Sequence, residues 1–164
     1  MTGQDTRTVP LTNGQFRLLA AGLAYLVAGV HLFHPDRGVP RLVLQLSIDP
    51  SLILTDPRLV AFVLSGFSIL VAIKLVLVGF PRRPIYLLGM ALMVTYIVGY
   101  FGWHLAGHGG FLPGREPFYH DMHPIETAAM HLQGDTWGRT AILAETALLG
   151  VLALLYYREY WRGE

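Results

Sequence analysis

Apolar residues run through this chain in four long unbroken blocks, at 16–34, 59–80, 85–105 and 140–157. A helix needs about 20 residues, with a range of roughly 17–25, to cross the hydrocarbon of a bilayer. Each block meets that requirement. Proline marks several edges. His34-Pro35 ends the first block. Asp56-Pro57 opens the second, with Asp56 expected as N-cap and Pro57 at the first helical position. Arg83-Pro84 opens the third in the same way. The first block lacks a small-residue cleavage site and is too long for the apolar stretch of a signal peptide, so it is expected to be a retained helix.

The pattern therefore predicts an all-α integral membrane protein, a four-helix bundle of up-down topology, with residues 1–164 forming a single transmembrane domain. The lipid bilayer is its implied partner. Two longer connections, 35–58 and 106–135, fall on the same side. Within the second, Pro124-Ile-Glu-Thr-Ala-Ala-Met-His-Leu-Gln reads as a short cap helix, with Pro124 in its first turn and Gly134 just past its end. In the first, Arg41 to Ile48 is expected to lie in the interface or to cover the bundle.

Composition agrees. Hydrophobic residues make up 53% and charged residues 14%, against about 25% charged in soluble domains. Arg82 and Arg83 in the tight second loop, Arg158 and Arg162 in the tail, and Arg7 and Arg17 near the N-terminus all fall on one side. The positive-inside rule assigns that side, and both termini, to the cytoplasm. The opposing loops hold Arg37, Arg41, Arg58, Arg115 and Arg139, offset by acids. A net charge of +1 with no basic stripe excludes a nucleic-acid partner. Lys74 is the only lysine beside eleven arginines, a bias that suggests a GC-rich prokaryotic genome.

The seven histidines change the picture more than the charge does. His31 and His34 stand at i, i+3 at the end of the first block; His104 and His108 stand at i, i+4 at the end of the third. Both spacings share a helix face. His120 and His123 lie in the long connection, and His131 lies on the expected cap helix. The cluster is expected on the extracytoplasmic side of the cell membrane. With no cysteine, thiolate metal sites, disulfides and iron–sulfur clusters are excluded. Imidazole suits Zn, Cu, Fe and Ni. The expected ligands are His31, His34, His104, His108, His123 and His131, around Cu, Zn or non-haem Fe, with Asp121, Met122 and Met130 nearby. His108 and His120 have the strongest competing reading as merely solvated side chains.

A b-type haem is the alternative cofactor, held by His31 or His34 with His104 or His108 as axial pair. Gly22, Gly29, Gly99 and Gly102 would leave room for a macrocycle, although close helix packing is the commoner use of such glycines. Glu145, deep within the fourth block, is costly there unless protonated or partnered. It is expected to relay protons to the histidine site, to act as a deep ligand, or to hydrogen-bond Tyr25, Thr95 or Tyr96. Glu126 is expected as a ligand or general base. Aromatic residues at both boundaries read as interfacial belts.

His104-Leu-Ala-Gly-His108 resembles the HxxxH box of the membrane fatty-acid desaturase and hydroxylase group, whose boxes hold two irons. The HxxHH box of that group is missing, since His120-Asp-Met-His123 is followed by Pro124. The group's boxes also face the cytoplasm, so its activity is not carried over. Three functions compete: a metal-dependent enzyme or metal-binding redox subunit; a small cytochrome b or haem-bearing anchor of a respiratory complex; and a structural or assembly subunit without a cofactor. Any of them is compatible with a homo-oligomer or a larger membrane complex.

Overall fold

The computed structural model describes residues 11–54, 56–112, 116–120 and 122–163. Arg7, Arg115 and Asp121 lie outside the described residues. Within them the chain is all-helical, with six α-helices and no strand. They are α1 (Asn13–Phe33), α2 (Val39–Ile48), α3 (Arg58–Leu77), α4 (Arg82–Leu105), α5 (Pro124–Gly134) and α6 (Thr136–Tyr160); a 3₁₀ turn, Pro50–Leu54, joins α2 to α3. By length and composition, α1, α3, α4 and α6 are apolar enough to cross a membrane.

Helix ends follow from local chemistry. The Thr12 hydroxyl accepts from the Gln15 N–H at 3.3 Å, and the Gln15 side chain accepts from the Thr12 N–H at 2.8 Å, a reciprocal cap on α1. The helix runs to Phe33, and His34 caps it. At α3 the expectation moves by one residue. Pro57 takes the N-cap position, and the Asp56 carboxylate accepts from the Arg58 N–H at 3.2 Å. α4 begins at Arg82, two residues before Pro84. α6 begins at Thr136, four residues before the apolar block, because Asp135 accepts from the Trp137 N–H at 2.9 Å and organises the first turn. The cap helix α5 ends on Gly134 itself.

α6 packs against both α1 and α4, and α1 also packs on α3. Val27, Met93, Leu155 and the ring of His31 are the most deeply buried side chains. α3 and α4 touch little, although only a short turn joins them. Gly66 allows α3 to approach α1, since a Cβ there would stand 2.8 Å from the Leu32 side chain. Gly89 serves α4 and α6 in the same way, against Leu152. The four glycines singled out by spacing behave differently. Among the described residues nothing lies within 4 Å of a Cβ built on Gly22, Gly29, Gly99 or Gly102, so close packing among these helices does not use them. Large apolar side chains such as Leu18, Phe33, Leu77, Leu88, Val98 and Leu143 face outward on all four long helices. In water these would form a large unpaired apolar surface; they are compatible with lipid.

Two belts of contacts mark the bundle's ends. Around the start of α1, Arg17 pairs with Glu159 at 2.9 Å, Arg158 lies 5.3 Å from the Phe16 ring, and Arg83 lies 5.9 Å from the Tyr160 ring. Around the end of α1, the rings of His34 and Trp137 are 5.9 Å apart, and Arg58 stacks 3.4 Å over Trp103.

Candidate metal centre

Four imidazoles converge where α4 ends and α5 crosses it. His104 comes from the last turn of α4, His108 from the turn that follows, His120 from the connection, and His131 from the last turn of α5. Ligand nitrogens of His104, His108 and His131 all lie within 4.8 Å of one another. His108 Nε2 is 3.3 Å from His131 Nε2, which is 3.2 Å from His120 Nε2. His104 is buried, and the other three are half-buried. The Tyr100 hydroxyl donates to the Ala128 carbonyl at 3.1 Å and ties α5 to α4.

The backbone is shaped to bring His108 in. Gly107, His108 and Gly109 all have positive φ, at 61°, 56° and 91°. Glycine adopts this region freely; side chains do so uncommonly, histidine more readily than most, and such conformations gather at functional sites. A side chain at Gly109 would collide with the Trp103 indole. The Phe118 N–H donates to the Gly107 carbonyl at 2.9 Å and holds the returning connection against the turn.

Ring tautomers follow from the backbone partners. A carbonyl only accepts, so a ring nitrogen facing one must carry its hydrogen. His104 Nδ1 donates to the Tyr100 carbonyl at 2.8 Å, and His108 Nδ1 donates to the Phe118 carbonyl at 3.0 Å. In a neutral ring that leaves Nε2 with a free lone pair, the arrangement a metal-ligating histidine uses. His34 and His123 are set the other way. His34 Nδ1 accepts from the Asp36 N–H at 3.1 Å, and His123 Nδ1 accepts from the Ile125 N–H at 3.3 Å as the N-cap of α5. Their lone pairs are already used, and each Nε2 carries the hydrogen.

His131 sits between two rings, and a single N–H cannot point at both. Burial and then the neighbouring His108 and His120 push its pKa below the usual histidine value. Two nitrogens bound tetrahedrally to one zinc, at about 2.0–2.1 Å each, stand about 3.3 Å apart. The separations around His131 have that size.

The remaining expected site residues lie elsewhere. His31 is sealed inside the bundle, its ring 4.3 Å from Tyr96 and 4.7 Å from Phe62. Its Nδ1 donates to the Val27 carbonyl at 2.9 Å, and its Nε2 faces Glu145 Oε1 at 3.5 Å. With the Nε2 lone pair turned toward a carboxyl, the pair needs a proton between them. Glu145 Oε2 and the Tyr96 hydroxyl have no hydrogen-bond partner among the described residues. No ring contact or hydrogen bond joins His31 or His34 to His104 or His108. Glu126 is exposed in the first turn of α5. His120 and His108 therefore stand in the cluster rather than loose in solvent. No carboxylate belongs to the set among the described residues.

Spacing identified His104 and His108 as a pair. It could not place His120, whose position depends on the path of the connection. No protein-family model, no curated protein and no solved structure matches this chain.

Proposed function

We propose that this is a multi-pass membrane protein that binds one divalent transition metal, zinc or copper, through His104, His108 and His131, with His120 beside them. The observation that carries the reading is the meeting of Nε2 atoms at 3.2 and 3.3 Å around His131. Two nitrogens sharing one tetrahedral cation stand at about that separation. The backbone carbonyls that fix the rings of His104 and His108 support it. An all-imidazole set suits zinc and copper, whereas non-haem iron sites add a carboxylate. Three imidazoles leave a coordination position open for chemistry; a fourth from His120 closes it. Glu145 with His31 is a separate buried pair, proposed to hold a proton in the bundle interior.

Elemental analysis of the purified chain tests this. About one equivalent of zinc or copper is expected. Less than about a tenth of an equivalent, after purification without chelator, defeats the proposal.

The helices are proposed to alternate in direction, with both termini cytoplasmic and the histidine cluster extracytoplasmic. The contacts Arg17–Glu159 and His31–Glu145 support opposite senses for α1 and α6, and the arginines near the start of α1 support the side. Single cysteines at the exposed Glu116 and at Gly163 in this cysteine-free chain, probed with an impermeant maleimide in intact cells, decide it. Labelling is expected at position 116 only.

A further inference from the structure

The thin contact between α3 and α4 leaves a cavity of about 660 Å³ in the half of the bundle away from the histidines. Small side chains create it: Ala20, Ala21 and Ala24 on α1, Ser68 and Ala72 on α3, and Gly89 on α4. The volume lies within the range of about 300–1,000 Å³ typical of ligand sites. Along α1 the lining runs from Gly14 to Ala24, about 15 Å at 1.5 Å per residue. That is the depth of one leaflet, half of a hydrocarbon core of about 30 Å.

The outer end of this cavity is polar and basic. Arg17 and Tyr86 line it. Tyr86 is only 5% exposed, and its hydroxyl faces the Arg17 side chain with no well-aligned hydrogen bond among the described residues. The charged groups facing that hydroxyl are Glu159, Arg17 and Arg82. The buried Nε of Arg82 likewise has no partner among them. Arg83 lies over Tyr156 and Tyr160, and Arg158 lies over Phe16, close by. Among the described residues, cations thus outnumber the carboxylate of Glu159 at this end.

We propose that this cavity binds one acyl chain of an anionic phospholipid from the bilayer, with the phosphate held by Arg17, Arg82 and the Tyr86 hydroxyl. An apolar slot one leaflet deep, ending in unsatisfied donors and excess positive charge, matches an amphiphile of that shape. Basic pockets between membrane helices recognise anionic headgroups for the same reason. A second copy of the chain fits less well, because two identical basic patches would meet face to face. The proposal rests on the four long helices crossing a bilayer and is independent of the metal.

The test is native mass spectrometry of the full chain, equilibrated with phosphatidylglycerol or phosphatidylcholine of identical acyl chains. Wild type is expected to retain one phosphatidylglycerol in preference to phosphatidylcholine. Arg82→Gln is expected to lower that preference about fivefold, the factor for one basic group beside an anionic lipid. Tyr86→Phe is expected to lower it further. Ala72→Phe, which fills the slot, is expected to abolish retention of both lipids while metal content stays at the wild-type value. Equal retention of the two lipids by wild type overturns the proposal, as does a preference that survives Arg82→Gln unchanged. Disulfide formation between two copies carrying Ser68→Cys would show the slot covered by protein and overturn it too. Should Ala72→Phe fail to fold, the Arg82→Gln comparison decides the matter alone.

Discussion

His104 and His34 are both buried, yet their substitution has different expected outcomes. His104 directs a lone pair at its neighbours, and His34 spends its own on the Asp36 N–H. His104→Ala should lower bound metal by at least tenfold, since even the partners that orient such ligands carry about 10–100-fold in affinity. His34→Ala should leave metal content unchanged and lower stability. Elemental analysis beside thermal unfolding separates the two; metal loss in a helical His34→Ala protein would refute the tautomer argument. At Glu145, Gln can donate an N–H to His31 Nε2 and should preserve stability. Leu leaves that nitrogen buried without a partner and should cost about 1–3 kcal/mol. Unfolding midpoints of the two variants check this. Sequence spacing marks His31/His34 and His104/His108 as equivalent pairs. What sets His34 apart from His104 and His108 is that its Nδ1 leans on an N–H rather than a carbonyl; His31 also meets a carbonyl, but its Nε2 faces the Glu145 carboxyl instead of other imidazoles.

At the scale of elements, the apolar blocks located the four long helices, because burying a backbone in lipid leaves few alternatives to a helix. They misjudged the edges where capping extends a helix into polar sequence. The start of α6 shows this: Thr136 to Arg139 carry no aliphatic residue, yet Asp135 organises them. Helix contacts were less legible, since a glycine looks the same in sequence whether it meets a neighbour or lipid. Gly66 meets Leu32, and Gly22 meets nothing. Gly66→Ala should therefore separate α3 from α1 and cost about 1–3 kcal/mol. Gly22→Ala should be neutral or slightly stabilising, through better helix propensity. Equal effects of the two in denaturant titrations would contradict the assigned packing of α1 on α3.

Across the whole molecule, the proposed metal centre would reinforce a junction that otherwise rests on the Tyr100–Ala128 and Phe118–Gly107 hydrogen bonds and the packing of α5 on α4. His104 belongs to α4, His131 to α5, and His108 and His120 to the connection between them. Removing the metal should loosen this end and leave the core around Met93 and Leu155 intact. At free metal one hundred times the dissociation constant, binding adds about 2.7 kcal/mol to stability. Chelation should lower the unfolding midpoint accordingly, and re-addition of zinc or copper should restore it; a midpoint indifferent to chelator would argue against a metal tied to the fold. The left-handed backbone at His108 has a further consequence, for how this chain would drift. The conformation is free for glycine and uncommon for side chains, among which Asn, Asp and His adopt it most readily. On the proposed reading, the demand for a ligand holds a histidine where glycine would fit without strain. In a lineage released from metal binding, position 108 is where substitutions should accumulate first, with Gly favoured, while the helix-borne His104 could persist as a packed core residue.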